Sequence, residues 1–431
     1  MQDFNPVRGK PVPATFKKGD LLVLFGELFN RGYANGLVEE AEKFGVTVVR
    51  ATVGRRDENQ NIRKLTVEEA ELIPKPFINV PLEAGFDLEK DSTGKTPNDY
   101  LKDVKLSHWE ASAVPQETLQ QCRAQGRARF KKQTAEFISE IEKLIKPGQH
   151  VHFAHLMAGG VPRCKIVLPL MNRVFKGTGD RYIPSKKFWE SGIGRFLEMN
   201  FHEVTAQTFN ILIEESSGLR EKLKTSGGSA SYVAYGYHGT EVIISGTYQW
   251  QSYAPYIQGW AKVDLENFSK SWFAKGVACC VYNCPEILTN SSSVFKGIEI
   301  AVYNLVRALK KDKPNSPITA KISEDCERVL KSPGDLDRIY SAVDNYFKAP
   351  SVHETSVYKN WPHHSQKDQL ELTLQTSDDV INFHKDEKVL MTGTMSDLIF
   401  KACGYIMLHE GKLPKYPVAW IGHDAVVANL D

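Results

Sequence analysis

The stretch Tyr253-Ala-Pro-Tyr-Ile-Gln-Gly-Trp-Ala-Lys262 places a tyrosine eight intervening residues ahead of a lysine. A phenol has an ordinary pKa of about 10, and a neighbouring ammonium group lowers it. Such a pair can stabilise negative charge that develops on a substrate oxygen. The apolar positions after Lys262 predict a helix to about Phe273, with the lysine on the side that faces a sheet. Tyr237, Tyr248 and Tyr256 also lie near Lys262 in the sequence, and only their spacing separates them from Tyr253.

A second candidate feature lies near the N-terminus, where the apolar run Leu21 to Phe25 leads into a turn with glycines at 26, 32 and 36. A strand, a glycine turn and a helix form the arrangement that receives a dinucleotide pyrophosphate. Gly26 permits a tight turn, Gly32 lets the backbone approach phosphate, and Gly36 lets helix and strand pack closely. The spacing differs from G-x-G-x-x-G, so an ordinary strand-to-helix turn is the alternative. Together with Tyr253 and Lys262, the turn predicts a nicotinamide-dependent reductase.

The choice of cofactor depends on the end of the second strand, Val46 to Thr52. An acidic residue there holds the ribose 2'-hydroxyl of NAD, but this strand leads into Arg55 and Arg56. Arginine can pair with a 2'-phosphate instead, so NADPH is mildly favoured over NADH. Solvated loop charges beside Asp57 and Glu58 are a nearly equal explanation.

Strands alternate with helices along the chain, which predicts an α/β fold with a doubly wound, parallel, Rossmann-like sheet. We predict a dinucleotide-binding and catalytic domain at 1–317, with an insertion after the second strand at about 57–115. Residues 318–431 are predicted to form a C-terminal α+β extension, a candidate cover for the substrate site. This extension includes a predicted strand pair around 370–374 and 388–392.

The composition bounds the class of protein. The 431 residues, 42% hydrophobic and 25% charged, can bury a large core, and a net charge of +2 gives no overall field that attracts nucleic acid. No apolar window is long enough for a membrane span, and the N-terminus lacks a secretory pattern. Seven cysteines without a CxxC pair predict reduced thiols. We therefore expect a cytoplasmic protein, as a monomer or small homo-oligomer.

A pair of histidines and a basic helix are explained without a binding function. His152 and His155 lack a third ligand at a suitable spacing, so no metal site is expected. The long helix predicted over 117–145 carries the basic residues Arg123, Arg127, Arg129, Lys131 and Lys132. A solvated helix face explains them best, and docking of an acidic carrier protein is the alternative.

These motifs resemble the trans-2-enoyl-ACP or enoyl-CoA reductases of the short-chain dehydrogenase superfamily, most of all the larger FabV-type class. Tyr253-x8-Lys262 has that class's spacing, and Gly259-x-Ala261 is similar to its glycine and alanine before the lysine. The glycine turn is similar to that of smaller enoyl reductases, and the segment from Ala158-Gly159 begins another unit. Leu288-Thr289 resembles the loop that meets the cofactor carboxamide. The likeness covers about 18–308.

The resemblance implies hydride transfer from NADPH or NADH to the β-carbon of a trans-2-enoyl thioester in fatty acid biosynthesis. Tyr253 would stabilise the oxyanion, Tyr237 would assist, and Lys262 would bind the ribose. The interval from Tyr237 to Tyr253 is longer than in the family, so Tyr248 is the alternative acid. The residues implied in cofactor binding are Gly26, Arg31, Gly32, Gly36, Arg55, Arg56, Ala158, Gly159, Lys262 and Thr289. Those implied in an acyl channel are Val294, Phe295 and Ile298.

Two other functions remain open from the sequence. One is a related reductase that acts on another activated alkene or a carbonyl, and the other is a non-catalytic redox sensor that binds NADP. Retention of both Tyr253 and Lys262 argues against the sensor.

Overall fold

A computed structural model describes residues 4–30, 32–253, 257–289, 292, 294, 296–358 and 361–430. The strands of these residues are β1 Leu21–Glu27, β2 Thr47–Val53, β3 Arg55–Arg56, β4 Ile62–Arg63, β5 Phe77–Leu82, β6 His150–His155, β7 Ser229–Gly236, β8 Gly239–Ile244, β9 Thr247–Ser252, β10 Cys279–Asn283 and β11 Val418–Trp420.

The helices that precede β10 are α1 Ala34–Lys43, α2 Val67–Glu71, α3 Pro97–Leu101, α4 Gln116–Glu142, α5 Val167–Lys176, α6 Ser185–Trp189, α7 Gly192–Phe201, α8 Thr208–Glu215, α9 Ser217–Thr225 and α10 Ile257–Ala274. Those that follow β10 are α11 Ile298–Asp312, α12 Pro317–Val329, α13 Asp335–Lys348, α14 Pro350–His353, α15 Lys367–Asn382, α16 Thr392–His409 and α17 His423–Ala428. Short 3-10 helices cover Trp109–Ala111 and Gly179–Arg181, and a π-helical segment covers His202–Gln207.

Within the described residues the main sheet has seven parallel strands in the order β11-β10-β7-β6-β1-β2-β5. The chain builds outward from β1 through β2 to β5, then returns to β6 on the other side of β1. This reversal between β1 and β6 is the place where doubly wound sheets bind ligands. The predicted fold class is confirmed.

Both faces of the sheet are covered, because alternate residues of each strand face opposite sides. Leu22 and Leu24 of β1 join a buried cluster with α1, α11, α13 and α16. Leu21, Val23 and Phe25 join a second cluster with α4 and α8. A continuous apolar strand is the pattern that burial on both faces requires.

The segment predicted as an insertion after the second strand supplies β5, the edge strand that pairs with β2. Residues after 317 supply the opposite edge strand, β11, together with α16, which packs against α1. The predicted strand pair at 370–374 and 388–392 is wrong: the first lies within α15, and the second precedes and begins α16. A short apolar run is typical both of a strand and of the buried face of a helix, so periodicity alone does not distinguish them.

The antiparallel hairpin of β8 and β9 lies outside the main sheet, between β7 and α10. It accounts for the long interval between Tyr237 and Tyr253, because the chain leaves the sheet and returns before α10 begins. Tyr237 precedes this hairpin and Tyr253 follows it. Both tyrosines therefore lie near the carboxyl ends of the parallel strands, Tyr237 directly after β7 and Tyr253 against Cys284, which follows β10.

Candidate active site

A cavity of about 230 Å³ opens at the carboxyl ends of β1, β6 and β7. Its wall includes the backbone after β1, the end of β6, and the side of α10 that carries Lys262. A neighbouring cavity, lined by Val53, Leu82 and Arg163 among others, shares Glu27 and Ala158 with the first. The two form a path along the switch point of the sheet, which is the place and shape expected for an extended dinucleotide.

The glycine turn borders this path. Gly26 has a φ of +125°, a conformation that residues with a side chain rarely adopt, and an added Cβ would lie 3.1 Å from Leu156 at the end of β6. At Gly32 an added Cβ would meet no atom within 4 Å, so the backbone here faces open space. This open cradle fits the approach of a phosphate. Arg31 lies outside the described residues.

Gly36 has a different packing partner from the one expected. An added Cβ would lie 1.9 Å from the carbonyl oxygen of Phe400 in α16, rather than against a strand. At Gly404 of the same helix, an added Cβ would lie 2.2 Å from the carbonyl carbon of Gly36. The two glycines therefore let the backbones of α1 and α16 touch, and this contact positions the helix that follows the turn.

Lys262 is 7% exposed and lines the main cavity. Its Nζ donates a hydrogen bond to the carbonyl oxygen of Tyr235, 2.6 Å away at the end of β7. Burial lowers the pKa of Lys262 to about 8, and the thiol of Cys284 raises it slightly. A buried ammonium at this position can bind a hydroxyl or stabilise a negative oxygen.

The four candidate tyrosines differ in their position relative to the cavity. Tyr237 lines the main cavity and also a second, narrower cavity of about 70 Å³. Tyr253 lines only the narrower one of these two; its ring centroid is 4.6 Å from that of Tyr237, and its hydroxyl donates to the Cys284 carbonyl oxygen at 2.5 Å. Tyr248 lies on β9 and donates to Asp312 at 2.5 Å, away from both cavities. Tyr256 lies outside the described residues.

The pKa of Tyr253 is raised, whereas the sequence led us to expect that a neighbouring ammonium group lowers it. Burial raises it well above its ordinary value, and nearby Glu286 raises it further. The expected lowering by an ammonium group is wrong for this geometry, because burial disfavours the charged phenolate. In this state Tyr253 is a neutral hydrogen-bond donor.

The two arginines after β2 are both held by carboxylates. Arg55 donates through both terminal nitrogens to Glu27, each at 2.9 Å. Arg56 pairs with Glu83, which Arg163 also approaches at 3.3 Å. Burial would raise the pKa of Glu27, but hydrogen bonds from Arg55 and Thr52 bring it below its ordinary value. The carboxylate of Glu27 therefore stays charged where it borders the cavity.

The remaining predicted residues fall at several places around the site. Ala158 lines both the main cavity and its neighbour, and Gly159 adopts a φ of +101° and accepts a hydrogen bond from Thr205. Thr289 and Ile298 line the main cavity. Val294 packs instead against a cluster of buried residues around α5 to α7. Phe295 lies outside the described residues.

Sequence reasoning missed Glu27 and Glu286. Glu27 is the last residue of β1, directly after Gly26, and a carboxylate at that end of the strand was the available signal. Glu286 lies between β10 and Thr289, lines both the main and the narrower cavity, and accepts a hydrogen bond from Tyr237 at 3.3 Å. Burial raises its pKa to about 7.

The basic stretch of α4 is largely paired with carboxylates. Arg123 and Arg127 both contact Glu203, Arg129 contacts Glu89, and Lys131 contacts Glu214 at 3.0 Å. Within the described part of the chain, no cluster of three or more histidine, cysteine or carboxylate side chains could hold a metal ion. Over the same residues, the search for a helix with the length and apolarity of a membrane span found none.

A doubly wound parallel sheet, a cradle at its switch point, and a phenol and an ammonium facing the same cavity define a Rossmann-type oxidoreductase. The chain belongs to the FabMG family of enoyl-acyl carrier protein reductases: the family model "Enoyl-acyl carrier protein reductase FabMG" matches residues 3–430. The predicted enoyl-ACP reductase is thereby confirmed.

Two solved structures are similar over the whole chain. The apo structure of a FabMG enzyme has 40% sequence identity and a TM-score of 0.95, and covers 100% of this chain and 98% of its own. An NADH-bound FabMG structure has 34% sequence identity and a TM-score of 0.80. That match covers 100% of this chain and 99% of the FabMG chain. This NADH-bound member confirms nicotinamide use within the family. No curated protein matched the chain. The special likeness to the FabV-type class is not confirmed.

Proposed function

We propose that this protein reduces the carbon-carbon double bond of a trans-2-enoyl group on acyl carrier protein, with NADH, in fatty acid biosynthesis. The observation that carries the proposal is the cavity at the sheet switch point into which Lys262 and Tyr237 both project. It joins a dinucleotide path on one side to a second cavity on the other. An activated alkene placed between them would meet the cofactor and the phenol together.

The cofactor would lie along the cradle, with its pyrophosphate at Gly32 and its nicotinamide ribose near Lys262. The bound dihydronicotinamide supplies a hydride to the β-carbon of the alkene. Tyr237 would then donate a hydrogen bond to the thioester oxygen as negative charge develops there. Lys262 would add its positive charge, and Tyr253 would support the ring of Tyr237.

This assignment revises the Tyr-x8-Lys hypothesis. Tyr253 was expected to be the main acid, but its hydroxyl is bonded to the Cys284 carbonyl, whereas Tyr237 lines the main cavity. We propose Tyr237 as the phenol that meets substrate and Tyr253 as its supporting partner. Tyr248 is proposed to have no role in the reaction because it pairs with Asp312 outside the cavity.

NADH is proposed over NADPH. Arg55 and Arg56, the candidates for a 2'-phosphate, are already paired with Glu27 and Glu83. The charged Glu27 would also repel a 2'-phosphate and accept a bond from a 2'-hydroxyl. This proposal departs from the mild preference for NADPH that the sequence indicated.

The acyl chain is proposed to occupy the narrower cavity beyond Tyr237. Its wall includes Val242, Ile300, Tyr346 and Phe347, so β8, α11 and α13 all contribute. Because α13 belongs to the segment after 317, this segment would cover the substrate as proposed from the sequence. We also propose a cytoplasmic location, because all seven cysteines are buried thiols. A monomer or a small homo-oligomer is the proposed state.

The test is oxidation of NADH and of NADPH with crotonyl-ACP and crotonyl-CoA. We expect turnover with the ACP substrate, and a loss of 10²-fold or more, the order expected for an oxyanion donor, in Tyr237→Phe. Tyr253→Phe should lose less, and Tyr248→Phe, the matched control outside the cavity, should equal wild type. Loss in Tyr253→Phe with normal activity in Tyr237→Phe would return the acid to Tyr253. No turnover with any enoyl thioester would reject the proposed function.

A further inference from the structure

Glu286 is an ionisable group in the reaction cavity to which the proposed mechanism gives no role. Its side chain lines the main cavity and the narrower one, at their junction. Tyr237, the proposed oxyanion donor, is its hydrogen-bond partner at 3.3 Å. A carboxyl group in contact with the phenol that meets substrate can exchange a proton with it.

The loop that carries Glu286 is held in place on both sides. The hydroxyl of Tyr253 donates to the carbonyl of Cys284, and that of Tyr33 donates to the carbonyl of Pro285. Beyond Glu286, the amide of Leu288 donates to the hydroxyl of Ser396 at 3.0 Å. Anchors on both sides hold the carboxyl group at the junction, so its place beside Tyr237 is set by the fold.

We infer that Glu286 is the proton source that reloads Tyr237 during enoyl reduction. This inference rests on the proposed function. As the new C–H bond forms at the β-carbon, the π electrons of the alkene move towards the thioester oxygen, and Tyr237 transfers its phenol proton to that oxygen. Glu286 then gives its carboxyl proton to the phenolate and is reprotonated by water. The enol tautomerises to the saturated thioester, so the net uptake is one hydride and one proton.

The surroundings of Glu286 favour the protonated carboxyl near neutral pH. Burial is the largest cause that raises its pKa to about 7; the bond from Tyr237 lowers it, and the charge of Glu299 raises it. A general acid is most effective when its pKa lies near the working pH. The groups that face it from the packed elements are Tyr33 before α1, Tyr253 after β9, Lys262 in α10, Cys284 in the same loop, Lys296 and Glu299 near the start of α11, and Tyr346 in α13.

The direction of the pH dependence follows from the protonation state that Glu286 needs in order to donate a proton. Glu286 must carry its proton to act, so its contribution is complete below a pH of about 7 and falls tenfold per unit above it. Glu299→Gln removes the neighbouring carboxylate, which should lower the pKa of Glu286 and move the fall in kcat to lower pH. Glu299 lines neither of the two cavities that Tyr237 borders. The maximal kcat of Glu299→Gln should therefore stay near that of wild type.

The experiment compares pH profiles of kcat for wild type, Glu286→Gln, Glu286→Asp and Glu299→Gln with an enoyl-ACP substrate. Glu286→Gln should lower kcat by about 10²-fold, the usual size of a general-acid contribution, and should lose the break near neutral pH. Glu286→Asp should restore part of the activity together with the break. Infrared difference spectra without substrate should show a protonated carboxyl band that disappears in Glu286→Gln, and NADH titration should show unchanged binding.

Several results would overturn the inference. Wild-type kcat and an unchanged break in Glu286→Gln would show that the proton comes from elsewhere. A break that does not move in Glu299→Gln would show that another group titrates. Equal loss of NADH binding and activity in both Glu286 variants would assign the residue a structural role. The absence of wild-type turnover would reject the proposed function itself, which is a distinct outcome.

Discussion

The crossing of α1 and α16 should be sensitive to a single methyl group. In Gly404→Ala the new Cβ would lie 2.2 Å from the carbonyl carbon of Gly36, whereas a Cβ atom essentially never lies closer than 3.0 Å to a heavy atom of another residue. The atoms that this Cβ would meet belong to the backbone of α1, and the Cβ itself is fixed to the backbone of α16, so neither can rotate away. The helices must separate by about 1 Å, and a gap of this size forfeits roughly a quarter to a half of the dispersion energy at each contact.

The expected loss of stability follows from two opposing effects. Overpacking a core typically costs about 1–3 kcal/mol, and a contact between two backbones belongs at the upper end of that range. Alanine in place of glycine within a helix returns about 1 kcal/mol. The net loss is about 2 kcal/mol, which lowers Tm by about 2 °C, because an unfolding entropy of about 2.1 cal/mol/K per residue gives roughly 0.9 kcal/mol/K for 431 residues.

Gly393→Ala is the matched control, because Gly393 lies in the same helix, is exposed, and an added Cβ there meets no atom within 4 Å. It should leave Tm unchanged or raise it slightly. Thermal unfolding followed by circular dichroism measures both variants. If Gly404→Ala unfolds at the wild-type temperature, the close backbone contact between the two helices is refuted.

Three further changes probe the site. Gly32→Ala should fold normally, because its Cβ meets only open space, but should raise the KM for NADH about tenfold by intruding into the cradle; an unchanged KM would exclude phosphate from this position. Lys262→Met should abolish turnover yet be more stable by about 2–3 kcal/mol at pH 7 in denaturant titrations, since burying the ammonium lowers its pKa to about 8 from 10.5. That gain should vanish as the pH rises from about 8 to 10.5, because the folded lysine loses its charge before the unfolded one; a pH-independent gain would argue against a buried cation. Glu27→Gln should raise the ratio of kcat/KM for NADPH over NADH about tenfold by releasing Arg55, and a constant ratio would contradict the role of the carboxylate.

Some residues of the site were predictable from local pattern. The run Leu21 to Phe25 and the following glycines identified the first strand and turn, and Lys262 was correctly placed on the buried side of its helix. These features depend on neighbours in the sequence, because strand burial, turn geometry and helix periodicity are local properties.

Other residues could not be predicted in the same way. The pairing of Arg55 with Glu27 joins the ends of two strands, and the contact of Gly36 with Phe400 joins helices far apart in the chain. Neither leaves a spacing signal. Glu286 was not predicted as a site residue because nothing in its immediate sequence shows that two cavities meet beside it.

The amino-acid sequence by itself determined the first strand and its glycine turn, the doubly wound parallel sheet, and the lysine that faces the cavity. Only the tertiary structure decided which tyrosine lines that cavity, which carboxylates hold the arginines, and that α16 supports the turn-bearing helix. The physical reason is that periodicity reports which face of an element is buried, whereas partners across the fold depend on how those faces meet.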